Sequence, residues 1–154
     1  MLRYITGNDS LFFLLLKKYQ QQYAFGNANT QQFKTIAEQT LNRNLDTFFD
    51  QWIYKEGYPI YTVYWNQVGD KVFIRLEQNT AVPESVKLFY TPLQLKLSGL
   101  SGDTTLTVYN DTASQFIRLN WETTITGVTV DPNNYILNGD GGIIHDPELG
   151  LKIG

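Results

Sequence analysis

The chain has no cysteine, a single histidine, a single methionine and only 18% charged residues. Each shortage excludes chemistry. Without cysteine there is no disulfide framework, no thiol nucleophile and no thiolate metal site. With His145 alone, one copy of the chain cannot build a site that needs two imidazoles, so an H-E-x-x-H zinc centre is excluded within it. A serine–histidine–acid triad would have to use His145 or nothing. Positive charge is also in short supply. The net charge is −3, which gives no footprint for nucleic acid or an anionic membrane. The apolar run Leu11 to Leu16 ends at Lys17 and Lys18, far short of the ~20 residues that span a bilayer. Met1 to Ser10 carries no signal-peptide pattern. What is plentiful is aromatic: ten Tyr, nine Phe and three Trp in 154 residues. Such a chain is globular and long enough to bury a real core.

The hydrophobic pattern changes character near residue 58. Residues 1–58 read as three helices. Asn8, Asp9 and Ser10 cap the first, whose Phe12, Leu16, Tyr19 and Tyr23 recur on one face. Phe13, Leu14 and Leu15 make its other faces apolar too, which predicts wide burial. It should stop near Gly26-Asn27. A second helix starts at Asn29-Thr30, where Gln32 completes a capping-box spacing, and carries Phe33, Ile36, Ala37 and Leu41. A third follows Asn44, with Leu45, Phe48, Phe49, Trp52 and Ile53 as its apolar face, and ends at Gly57 and Pro59.

From Pro59 the period becomes two. Val63 and Trp65 alternate with polar neighbours, as do Val72, Ile74 and Leu76, around the turn Val68-Gly69-Asp70-Lys71. Setting Val68 opposite Lys71 places Trp65 against Ile74 and Val63 against Leu76, all on one face. A slip of one residue would destroy that agreement. Val86–Tyr90, Leu93–Leu97, Leu106–Val108, Phe116–Leu119, Thr126–Val130 and Tyr135–Leu137 read as further strands, with Pro92 as an interruption. Asn138 to Gly142 reads as a loop. The expectation is an α+β chain: a helical segment over 1–58, then an antiparallel β-sandwich of about seven strands over 59–154. The first part carries six basic and five acidic residues and the second six and ten, so neither names a partner.

The first part resembles a known family. Gly26-Asn27-Ala28-Asn29-Thr30, Phe33, Leu45, then Phe48-Phe49-Asp50-Gln51-Trp52, Gly57 and Pro59 are similar to the end of the catalytic domain of aminopeptidase N-type zinc metallopeptidases, the gluzincin exopeptidases. Met1-Leu2-Arg3, Gly7-Asn8-Asp9 and Phe12-Phe13 resemble the segment preceding it, and Gln32 departs by standing where the family usually has an acid. The likeness covers residues 1 to about 65. Val128–Leu137, with Asp131-Pro132, resembles the close of the family's following domain. The resemblance implies an incomplete C-terminal lobe of a thermolysin-like catalytic domain, followed by an Ig-like β-sandwich. It implies zinc in the full-length parent, peptides as the parent's substrate and the upstream catalytic lobe as an intramolecular partner. The family's two zinc histidines, its zinc and catalytic glutamates, its G-x-M-E-N loop and its catalytic tyrosine all precede the segment matched by Met1. Tyr4 lies too late to be that tyrosine. The chain is therefore expected to be non-catalytic by itself and to hold no catalytic, cofactor or metal residue.

Phe48, Phe49 and Trp52 at helical spacing read as core, not as a ligand platform. His145, with Asp140, Asp146 and Glu148 nearby, reads as part of a solvated glycine-rich loop that does not fit a calcium loop. Asp46 and Asp50 share a helix face, but Asp46 reads as a first-turn acid. No serine has a nucleophile-elbow setting. Tyr61, Tyr64, Trp65, Tyr90, Tyr109, Trp121 and Tyr135 leave a second reading open, a free-standing binding module for carbohydrate or protein, although they are also good strand residues. Phe12 to Leu16 cannot all be covered by two short helices, which predicts self-association through exposed helix surface.

Overall fold

In a computed structural model, residues 1–151 are described. The chain forms two compact units, Met1–Lys55 and Glu56–Gly154. The first is helical: α1 (Leu2–Thr6), α2 (Asp9–Tyr23), α3 (Thr30–Leu41) and α4 (Asp46–Phe49), which runs into a π-helical turn, Asp50–Tyr54. The short α1 adds to the three expected helices. At five residues it is too short for a periodic signal, and Gly7 closes it in the left-handed region at φ 67°. The Asn8 side chain caps α2 by accepting from Leu11 N at 3.1 Å. Asn29 and Gln32 form the full capping box on α3, each at 2.9 Å.

The third helix is not a single α-helix. Beyond Phe49 its winding widens, so residues five apart come together. Lys55 Nζ reaches Asp50 Oδ2 at 2.6 Å, and the Phe49 and Tyr54 rings lie 6.5 Å apart. The core of this unit is Leu15, Ile36, Ala37, Leu45 and Phe49, with Phe12, Tyr19, Phe33 and Phe48 packed around it. The face of α2 is therefore centred on Leu15. Phe13 is 55% exposed and Leu14 is exposed as well, so the wide burial expected for this helix does not hold. Its fellow helices cover one side only.

The second unit has seven strands in two sheets. β1 (Pro59–Val68), β2 (Lys71–Thr80), β5 (Ser114–Asn120) and β7 (Gly139–His145) lie in the order β5-β2-β1-β7. β3 (Thr91–Gly99), β4 (Gly102–Asn110) and β6 (Ile125–Val130) lie in the order β4-β3-β6. The β1–β2 hairpin has the register read from its alternation: Val63 faces Leu76, Trp65 faces Ile74 and Val68 faces Lys71. Val63, Val72, Ile74 and Leu76 are fully buried, as are Leu93, Leu95 and Leu97 of β3. One face of each sheet is thus removed from water, which drives the fold of this unit.

Four expectations need correction. Val86–Tyr90 is not a strand. Val86 and Phe89, three apart, are the buried pair, and the amide of Gln78 holds Phe89 by both its N–H (2.7 Å) and its carbonyl (3.0 Å). Pro92 does not interrupt β3. It lies within it, opposite Tyr109, and β6 pairs with β3 only from Leu95 onward, so no ladder bond is lost to it on that side. Tyr135–Leu137 is an irregular segment fixed by Asp131. The stretch expected as a loop, from Asn138 to Gly142, enters β7 at Gly139, and β7 runs parallel to β1, so the first sheet is mixed and not antiparallel. Its glycines serve close approach. A Cβ on Gly141 would collide with Thr62 Oγ1 and lie 2.8 Å from Tyr61 O, where the β1–β7 register shifts.

Candidate functional site

His145 was expected in a loop, but it is the last residue of β7. Its ring lies 4.8 Å from that of Trp65, its partner in the β1–β7 register. His145 Nε2 meets Asn66 Oδ1 at 3.2 Å. Asn66 points to the opposite face from Trp65, is buried, and donates through Nδ2 to Pro147 O (3.0 Å) and Leu149 O (2.9 Å). One asparagine thus ties the chain beyond β7 onto the outer face of the sheet. Beside His145 lies a shallow groove of about 410 Å³, lined by Trp65, Gln67, Glu122, Thr123 and Ile125 among others.

Gln67 at this groove is committed to structure. Gln67 Nε2 donates to Thr123 O (2.7 Å) and Gly69 O (3.2 Å), and its Oε1 accepts from Ile125 N (2.9 Å). The acids near His145 in sequence shape turns. Asp140 Oδ1 accepts from Gly142 N at 2.8 Å, and Asp146 Oδ1 accepts from Glu148 N at 3.1 Å. Among the described residues, no group of three or more His, Cys, Asp or Glu would hold a metal.

The other sequence candidates are likewise apart. Asp46 pairs with Lys34 and accepts from Asn44 Nδ2 at 2.7 Å. The Lys34 ammonium beside it, then Asn44, holds its carboxyl below the usual range. Asp50 pairs instead with Lys55. Two carboxylates each matched to its own partner are not an acid–base couple. Phe49 is core, and Phe48 meets it edge-on at 5.5 Å. The tyrosines differ in exposure. Tyr61 is 1% exposed, and Arg75 lies over the Tyr64 ring at 4.2 Å. Trp121 packs against the backbone of Gly99. Tyr90, Tyr109 and Tyr135 are exposed.

Sequence reasoning passed over three buried polar residues that organise the second unit. Gln78 also donates to Asn110, which in turn donates to Thr112 O at 3.0 Å. Asp131, with φ 43°, accepts from Tyr135 N (2.9 Å), Ile136 N (3.0 Å) and Asn138 Nδ2 (3.2 Å). The signal for Asp131 was available, since Asp-Pro-Asn-Asn is turn chemistry. Gln78 and Asn110 had none, because a strand glutamine reads as solvent-facing.

No helix among the described residues is long and apolar enough to cross a membrane. No protein-family profile matches the sequence, and no curated protein matches it. Solved structures do. An aminopeptidase A from Legionella pneumophila, crystallised in complex with aspartic acid, matches at TM-score 0.61 and 17% identity, over 84% of this chain and 15% of that one. The chain therefore spans a small part of the length of that enzyme. The likeness shows that this peptidase contains a stretch of the same fold.

Proposed function

We propose that the chain is a non-catalytic C-terminal segment of an aminopeptidase N-type, gluzincin zinc metallopeptidase. Residues 1–58 would be the helical end of its thermolysin-like catalytic domain and 59–154 its Ig-like β-sandwich. One observation carries this reading. Glu56–Gly154 is 99 residues, or 64% of the 154. A fold likeness over 84% of the chain must therefore draw on residues of both units. The Phe48-Phe49-Asp50-Gln51-Trp52…Gly57-Tyr58-Pro59 stretch supports the same family independently, because it lies where the helical unit gives way to β1.

In this reading the chain's residues do structural work. Phe48 and Phe49 close the core of the helical unit, and Gln67, Gln78 and Asp131 lock the sheets and loops of the second. Zinc belongs to residues that precede those matched here, and no step of peptide hydrolysis is assigned to this chain. The test is the coding sequence upstream of the Met1 codon. An in-frame H-E-x-x-H with a further glutamate beyond it supports the proposal. A frame that opens at Met1 with no such motif defeats it. The binding-module reading gains no specific observation here.

A further inference from the structure

Among the described strands, four form sheet edges: β5, β7, β4 and β6. Natural edges are guarded by shortness, bulges, proline or outward charge. β6 has six residues, and its pairing with β3 shifts register at Ser98–Gly99. β7 is glycine-rich and bulged. β5 presents an exposed Arg118. β4, Gly102–Asn110, is neither short, bulged nor interrupted by proline. It has nine residues and pairs with β3 from Gly99↔Gly102 to Thr91↔Asn110 with no register shift. Its single charge, Asp103, lies 3.4 Å from Lys96. Thr105, Thr107 and Tyr109 are exposed, while Leu106 and Val108 are half-buried.

We propose that β4 is a docking edge for the β4 strand of a second copy of this chain, in antiparallel pairing about Leu106. That two-fold register engages all nine residues at once. It sets Thr105 opposite Thr107 of the partner copy, Thr104 opposite Val108, and Asp103 opposite Tyr109. Threonine and β-branched pairs are favourable across strands, and no like charges meet. Inward residues face inward ones throughout, so the sheet would continue as β6-β3-β4 joined to its own copy, an isologous contact. The proposal is independent of the aminopeptidase reading, and its failure would leave that reading untouched.

The test uses the 154-residue chain. Light scattering across a dilution series should show association toward twice the 17.7 kDa chain mass. The double variant Thr105→Lys/Thr107→Lys places like charges opposite each other and should weaken association by about tenfold. A control, Phe13→Ser, should leave it unchanged. Register is tested separately, because the chain has no cysteine. Thr105→Cys and Thr107→Cys proteins, oxidised as a mixture, should give more disulfide-linked dimer than either alone. A monomer at every concentration, association unaffected by the two lysines, or no excess in the mixture would each overturn the proposal.

Discussion

Gln78 shows how much of the second unit rests on single side chains. It is buried in β2 and bonds Phe89 N, Phe89 O and Asn110 at once. Replacing it with leucine removes three buried hydrogen bonds, each contributing about 0.5–1.5 kcal/mol. Chemical denaturation should show Gln78→Leu less stable by about 3 kcal/mol, whereas Asn133→Ala, which loses only an exposed bond to Gln94, should change little. Tyr61 makes the opposite case. Its hydroxyl is buried and has no hydrogen-bond partner among the described residues. Burial, and then the Asp131 carboxylate, push its ionisation above the ordinary tyrosine range. A group whose folded-state pKa is raised stabilises fully below its unfolded value, about 10, and loses that contribution as pH rises further. Tyr61→Phe should therefore fold at least as stably at neutral pH and lose less stability in alkali. A steeper alkaline loss in the variant, read by thermal unfolding, would contradict this.

At the scale of elements, β7 is the part whose sequence misleads most. Its glycines look like loop residues. One of them, Gly141, is needed because the chain crosses Tyr61 and Thr62 too closely for a Cβ. Gly141→Ala should cost about 1–3 kcal/mol and raise amide exchange in β1 and β7 while leaving α2 and α3 unchanged. The Asn8 and Asn29 caps behave as read. Asn29→Ala should remove the capping box and cost about 1 kcal/mol, visible as faster exchange at the start of α3. The β1–β2 hairpin was legible because the two-residue turn at Gly69-Asp70 sets the register, and a slip of one residue would take Val63, Ile74 and Leu76 off a common face. The region 81–90 was not, because its order comes from a glutamine eleven residues away in β2, which no local period records. The π-helical turn was illegible for a similar reason: widening by one residue leaves the apolar spacing of Phe48, Phe49 and Trp52 compatible with an ordinary helix.

For the whole molecule, two organised cores coexist with candidate residues that are held in structural contacts. His145 lies against the tilted Trp65 ring and bonds Asn66, while Asp140 and Asp146 hold turns. The lack of a second histidine was readable from composition. The reason proposed for that lack rests on the aromatic stretch ending at Pro59, set beside a fold likeness to a peptidase of which the chain spans 15%. The most direct measurement is hydrolysis of aminoacyl substrates by the full product of the reading frame that contains residues 1–154, with and without chelator. The proposed assignment predicts release of N-terminal residues that chelation abolishes and zinc restores. A product with no such activity, or with activity indifferent to chelation, would contradict it.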